Sequence, residues 1–188
     1  PVGARYVCAV RHPADVLKSY YNFMSGWFFE HGSVSIEDYA QATFFNAEGS
    51  DNYWHHFVSW WNRRGDEDVV LLCYEDMQAA PETAIRRIAE HCGIDLTPEL
   101  LQLTLKHSSH AFMKQHASQF DENATKTALD EICGLPPGGE SSKVGHQAPA
   151  LKALPPAMLE QIEQAWRDQV TGRTGIANYA DFRAALAR

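Results

Sequence analysis

Two places in this sequence set polar side chains directly after an apolar run, and in open α/β sheets ligands collect outside the carboxyl ends of parallel strands. The first is Arg11, which follows Ala4-Arg5-Tyr6-Val7-Cys8-Ala9-Val10. A guanidinium there offers a planar fork of N–H donors suited to a phosphate, and Ser19 stands eight residues further on in a helical pattern. A strand-end arginine and a helix-borne hydroxyl at this spacing can converge on one anion. The spacing also fits a plainer arrangement, with Arg11 paired to Asp15 and Ser19 an ordinary helix residue, and spacing alone favours the plainer one. The second place is Tyr74-Glu75-Asp76-Met77, which leaves the run Val69-Val70-Leu71-Leu72-Cys73.

Other reactive side chains carry weaker signals. The four cysteines, Cys8, Cys73, Cys92 and Cys133, include no Cys-x-x-Cys pair, so free thiols are expected rather than a zinc site or a disulfide framework. His55 and His56 are adjacent, and neighbours on a helix point in different directions, which argues against a metal pair. His31, His91, His107 and His116 read as surface or packing residues. No metal site is expected, and no catalytic base is assigned.

The elements that must position Arg11 and Tyr74 follow from periodicity. The two apolar runs read as parallel strands, and the long helical connection between them is the signature of an α/β sheet. Pro13 suits the first turn of a helix, whose buried stripe is predicted to be Leu17, Tyr20, Tyr21 and Met24. Ser35 to Asn46 predicts a second helix with Ser35 and Asp38 as a capping pair. A third starts near Ser50-Asp51, carries Tyr53, Phe57, Trp60 and Trp61 on one face and ends at Gly65. That stripe fits a core better than a ligand platform. Helices are also expected from Pro81 to Gly93, from Thr97 with Leu100, Leu101, Leu103 and Leu105 on the apolar side, from Pro155-Pro156 with Leu159, Ile162, Trp166 and Val170, and from Tyr179 to Leu186. Residues 117–150 are polar and contain Pro136-Pro137-Gly138-Gly139, and this stretch is expected to be a lid or binding loop.

At 188 residues, 45% of them hydrophobic, the chain is long enough for one core, and residues 1–188 read as a single domain. A formal net charge of −8 argues against broad binding to nucleic acid or anionic membranes. No apolar run reaches the length of a membrane span, and a cytoplasmic location is the expectation. The chain enters a strand of interior character within a few residues of a start that is not Met, which suggests that preceding sequence belongs with it.

The segment Arg5-Tyr6-Val7-Cys8-Ala9-Val10-Arg11-His12-Pro13-Ala14-Asp15-Val16-Leu17-Lys18-Ser19-Tyr20-Tyr21 closely resembles the 3′-phosphate-binding segment of sulfotransferases that use 3′-phosphoadenosine 5′-phosphosulfate (PAPS), with His12 where that family has Asn. Leu71-Leu72-Cys73-Tyr74-Glu75-Asp76-Met77 resembles its Tyr-Glu-Asp-Met strand exit. Ser108-Ser109-His110-Ala111-Phe112-Met113-Lys114 is similar to its adenine-contacting Thr-Ser-Phe-x-x-Met-Lys segment. Ser141-Ser142-Lys143-Val144-Gly145-His146 corresponds to a shortened form of its Gly-rich closing loop.

The resemblance implies an α/β fold with a P-loop-NTPase-like parallel sheet flanked by helices, of which the first strand, the phosphate loop and the catalytic His precede this chain. It implies PAPS as co-substrate, no metal, a small-molecule hydroxyl or amine as acceptor, and Arg11, Ser19, Tyr74, Ser108 and Lys143 as cofactor-binding residues. Tyr74 packed for structure alone and Lys143 as a solvated surface lysine stay open. So do two other activities, a non-catalytic nucleotide-binding or interaction domain and a P-loop kinase.

Overall fold

A computed structural model describes residues 3–45, 52–120, 122–137 and 151–186. Its centre is a parallel pair of strands, β1 (Tyr6–Val10) and β2 (Val69–Cys73), in register from Tyr6 opposite Val69 to Val10 opposite Cys73. Every residue of β2 is buried, as a continuous apolar run requires. In β1, Cys8 and Val10 are buried and Val7 is 44% exposed. One of its faces is open among the described residues.

Helix α1 (Pro13–Met24) leaves β1 after a two-residue exit, with Pro13 at its first position. Leu17 is buried as expected, whereas Tyr20 is 56% exposed because it stands on the wall of a cavity described below. Helix α2 (Ile36–Ala40) is capped by the Ser35 hydroxyl, which accepts from the Asp38 amide and donates to the Asp38 carboxylate. It runs on into a π-turn at Gln41–Phe45. Helix α3 (Tyr53–Asn62) begins later than predicted, with Asn52 accepting from the His55 amide as its cap. Its buried stripe is Trp54, Phe57, Val58 and Trp61, at the i, i+3, i+4, i+7 spacing of one helix face. Tyr53 and Trp60 flank that stripe instead of forming it.

After β2 come α4 (Tyr74–Ala79), α5 (Pro81–Cys92), α6 (Pro98–His107) and α7 (His110–Gln115). Gly93 ends α5 with φ of +68°, a left-handed conformation that glycine adopts without a Cβ penalty. Of the predicted apolar side of α6 only Leu101 is buried, and Leu100 and Leu103 are exposed. The stretch predicted as a loop from 117 to 150 contains a 3₁₀ turn at Ala117–Phe120 and helix α8 (Asn123–Cys133). The polar residues that disguised α8 pair within it, Lys126 donating to Asp130 one turn on while both are buried. The Gly-rich remainder of that stretch, with Lys143, lies outside the described residues.

Helix α9 (Pro156–Trp166) continues through a π-turn at Arg167–Thr171 into the short α10 (Gly172–Thr174), and α11 (Tyr179–Leu186) follows. The core lies where α3, α9, its π-turn and α11 meet over the sheet. Phe57 packs against Trp166 at 4.8 Å and Phe182 at 5.1 Å between ring centres, and Trp54 donates its indole N–H to the Phe44 carbonyl. Phe182 is wholly buried among these rings. Phe182→Ala is expected to lower unfolding free energy by about 3–5 kcal/mol in urea titration, and a loss below about 1 kcal/mol would contradict this packing.

Candidate functional site

The chain direction of β1 and β2 brings their carboxyl ends side by side, and therefore brings Arg11 to Tyr74. The Arg11 guanidinium lies over the Tyr74 ring at 4.7 Å from its centre. Asp15, the carboxylate that could have claimed Arg11, instead forms an ion pair with Lys18 at 2.9 Å. No ion pair among the described residues involves Arg11. A guanidinium stacked on an aromatic face keeps its N–H edge available, so the planar fork remains presented to an incoming anion.

The backbone around Arg11 is fixed on several sides. Tyr53 donates its hydroxyl to the Arg11 carbonyl at 2.9 Å. The His12 amide donates to Glu75 Oε1 at 3.0 Å, across from one strand exit to the other. The His12 ring turns back to cap α1, its Nδ1 accepting from the Ala14 amide at 3.2 Å, which is the task an Asn performs at such a position. That bond requires a lone pair on Nδ1, so the ring is neutral while the cap is made. The rest of the ring meets the edge of Tyr179, 4.9 Å between centres.

Glu75 gathers the remaining donors. Its Oε2 accepts from the Tyr179 hydroxyl at 2.5 Å and from the Cys73 thiol at 3.0 Å. Partial burial pushes this carboxyl up, but the bonds from Tyr179, the His12 amide and Cys73 outweigh burial and hold it below its ordinary value. Burial, with the neighbouring Cys73 and Glu75, pushes the Tyr179 hydroxyl far up, and burial beside Glu75 and Cys73 does the same to Tyr53. Both hydroxyls therefore stay protonated as donors.

A cavity of about 590 Å³ opens beside Arg11, between α1, the π-turn after α2, and α3. Val16 and Tyr20 of α1, Phe44 of the turn, and Tyr53 and His56 of α3 line it together with Arg11. At its rim the Cys8 sulfur sits 3.8 Å from His56 Nε2. Burial pushes the thiol up to about 11 and pushes the imidazole down, so the two are a neutral pair and not an activated thiolate.

The other residues singled out from the sequence have partners of their own or stand exposed. Ser19 is on an exposed part of α1, next to Tyr20 but outside the cavity lining. Ser108 ends α6, its exposed hydroxyl donating to the Thr104 carbonyl at 2.8 Å, and Ser109 caps α7. His107 and His116 pack on Phe112, with ring centres 4.5 and 4.2 Å away, and His31 meets the Ser25 hydroxyl at 2.7 Å. Among the described residues, no group of three or more His, Cys, Asp or Glu is arranged to hold a metal ion. No described helix is long and apolar enough to cross a membrane.

Tyr53, Glu75, His12 and Tyr179 were not assigned roles from sequence. His12 had a legible signal, since it occupies the cap position before Pro13. Tyr179 had none, because its partners lie over a hundred residues away in the chain.

Residues 3–174 match the family model described as the sulfotransferase domain. Among characterised relatives, the chain is 24% identical over 178 residues to Sulfotransferase 1 family member D1 of Mus musculus, covering 95% of this chain and 52% of that protein. It is 30% identical over 113 residues to Sulfotransferase 1A1 of Mus musculus, covering 60% of this chain and 38% of that protein. The chain thus spans about half, or less, of the length of these relatives. In fold it is similar to retinol dehydratase in complex with androsterone and the inactive cofactor PAP, with a TM-score of 0.66 and 22% identity, over 88% of this chain and 47% of that one. It is similar also to mouse sulfotransferase SULT7A1 complexed with PAP, with a TM-score of 0.66 and 15% identity, over 98% of this chain and 62% of that one.

The His12 cap generates a test. Burial pulls this imidazole down, more than the nearby carboxylates Asp15 and Glu75 raise it, so the unfolded chain binds a proton near pH 6.5 that the folded chain resists. Stability is then full above 6.5 and declines as pH falls below it, with His56 acting in the same sense and Glu75 adding a further loss at lower pH. His12→Asn is expected to match the parent at pH 7.5 and to lose less stability between pH 7 and 5. His12→Ala is expected to cost about 0.5–2 kcal/mol at pH 7.5 in urea titration. An unchanged acid slope in His12→Asn would contradict the neutral-cap assignment.

Proposed function

The chain belongs to the sulfotransferase domain family, and from that membership we propose that the protein moves a sulfuryl group from PAPS to a hydroxyl or amine of a small-molecule acceptor. The observation that carries the reading is the Arg11 guanidinium, stacked on Tyr74 at a strand exit and not engaged by a carboxylate among the described residues. That donor set fits a phosphate. Arg11 would grip the 3′-phosphate with its fork, and Tyr74 would hold the guanidinium flat beneath it.

Ser19, one residue before the cavity-lining Tyr20, would add its hydroxyl from α1. Ser108 would meet the adenine with the oxygen lone pairs its bond to Thr104 leaves unused, and Lys143 would approach the phosphate from the stretch beyond Pro137. Two structures of similar fold contain PAP, and androsterone accompanies it in one of them, which supports a nucleotide of this kind and an apolar hydroxylated acceptor. The location proposed with this activity is the cytoplasm.

In the transfer, the acceptor oxygen or nitrogen forms a bond to sulfur while the bridging bond from sulfur to the 5′-phosphate oxygen breaks, and PAP leaves. The residues described here act at the other end of the nucleotide. They fix its 3′-phosphate, and a fixed phosphate orients the reacting end for in-line attack. No described residue is assigned the task of taking the acceptor proton.

The test is calorimetric titration of the protein with PAP and with AMP, which lacks the 3′-phosphate. PAP is expected to bind at least tenfold more tightly, and Arg11→Ala is expected to remove most of that preference, a charge-assisted contact of about 1.5–3 kcal/mol. Equal affinity of the parent protein for the two nucleotides would overturn the reading.

A further inference from the structure

Helix α11 lies beyond residues 3–174, the part that matches the family, yet its first residue reaches the centre of the candidate site. The Tyr179 hydroxyl is 2.5 Å from Glu75 Oε2, 3.2 Å from the Val10 carbonyl and 3.4 Å from the Cys73 sulfur. It has one proton, which the short carboxylate contact takes, and the Val10 carbonyl stands close enough to share it. Val10 immediately precedes Arg11 and His12 immediately follows it. Tyr179 touches the first at its carbonyl and the second at its ring, and through Glu75 it holds the His12 amide as well.

We infer that Tyr179 is a positioning residue for Arg11: its hydroxyl and ring, acting through Glu75, fix the backbone on both sides of the arginine so that the guanidinium is presented over Tyr74 before an anion arrives. The inference deepens the proposed function and rests on Arg11 being the 3′-phosphate ligand. Tyr179 itself touches no part of the nucleotide in this account. It acts on affinity by sparing the arginine the ordering that binding would otherwise require, a cost that preorganisation removes.

The geometry also separates this role from packing. The ring of Tyr179 is buried beside Phe182, 5.3 Å between centres, and a phenylalanine would keep that contact. Only the hydroxyl reaches Glu75 and Val10. A second anchor at Arg183, which pairs with Asp76 at the next turn, keeps α11 against α4 when the hydroxyl is lost. Tyr179→Phe therefore removes the link to the strand exits and little else, while Phe182→Leu perturbs the same helix without touching that link.

The experiment measures two quantities in the parent, Tyr179→Phe and Phe182→Leu. One is the ratio of PAP to AMP affinity. The other is the NMR position of the Arg11 Nε–Hε resonance without ligand, which the Tyr74 ring current displaces from the value of a solvated arginine. In Tyr179→Phe the ratio is expected to fall three- to tenfold and the resonance to move toward the solvated value, with both unchanged in Phe182→Leu. A parent-like ratio and resonance in Tyr179→Phe, or equal losses in both variants, would overturn the inference. If the parent shows no preference for PAP, the proposed function fails, and the resonance still decides whether Tyr179 positions Arg11. Should Tyr179→Phe not fold, Glu75→Gln carries the same expectation, because it keeps the side chain's shape and removes its charge.

Discussion

The ionised carboxylate of Glu75 joins the two ends of the sheet. Two parallel strands finish side by side with their last polar groups facing the same small space, and each strand must then turn into a helix. Glu75 takes the amide of His12 with one oxygen and the hydroxyl of Tyr179 and thiol of Cys73 with the other. A half-buried carboxylate is costly unless its lone pairs are filled. These donors fill them, and the net result is a group held ionised below its ordinary range. Because the donors come from β1's exit, from β2's end and from α11, one charge fixes three segments that are far apart in sequence.

The direction of Arg11 follows from this. The His12 amide is tied to Glu75, the Val10 carbonyl to Tyr179 and the Arg11 carbonyl to Tyr53, and Tyr74 supplies a flat surface for the Arg11 side chain. The competing carboxylate is removed locally, since Asp15 is paired three residues along its own helix to Lys18. Spacing had favoured an Arg11–Asp15 pair. The helix geometry that places i and i+3 side chains together decided otherwise.

How much of this was legible depended on the range of each interaction. Both strands, the helix after Pro13 and the Tyr74 exit are written in short runs, and they stand where periodicity put them. Trp54 and Val58 were passed over because Tyr53 and Trp60 make an equally aromatic stripe on a neighbouring face, and only packing against Trp166 and Phe182 distinguishes the two. Helix α8 was missed because its buried Lys126–Asp130 pair looks, residue by residue, like solvated loop. In the site, Arg11 and Tyr74 could be found from strand ends. Tyr179 could not, since nothing near Asn178 or Ala180 signals a partner at Glu75. Ser19 and Ser108 are residue types in a motif, and both are exposed, one on α1 and the other at the end of α6.

The central claim is that the strand exits are locked together by Glu75 in the absence of any ligand, and the most direct measurement is amide hydrogen exchange at His12 followed by NMR. His12 lies outside both strands and before the first turn of α1, where an amide bonded only to water would exchange as a loop does. The account predicts protection close to that of the amides inside β2, falling to loop-like exchange in Glu75→Ala while β2 stays protected. Rapid exchange at His12 in the parent protein would contradict it.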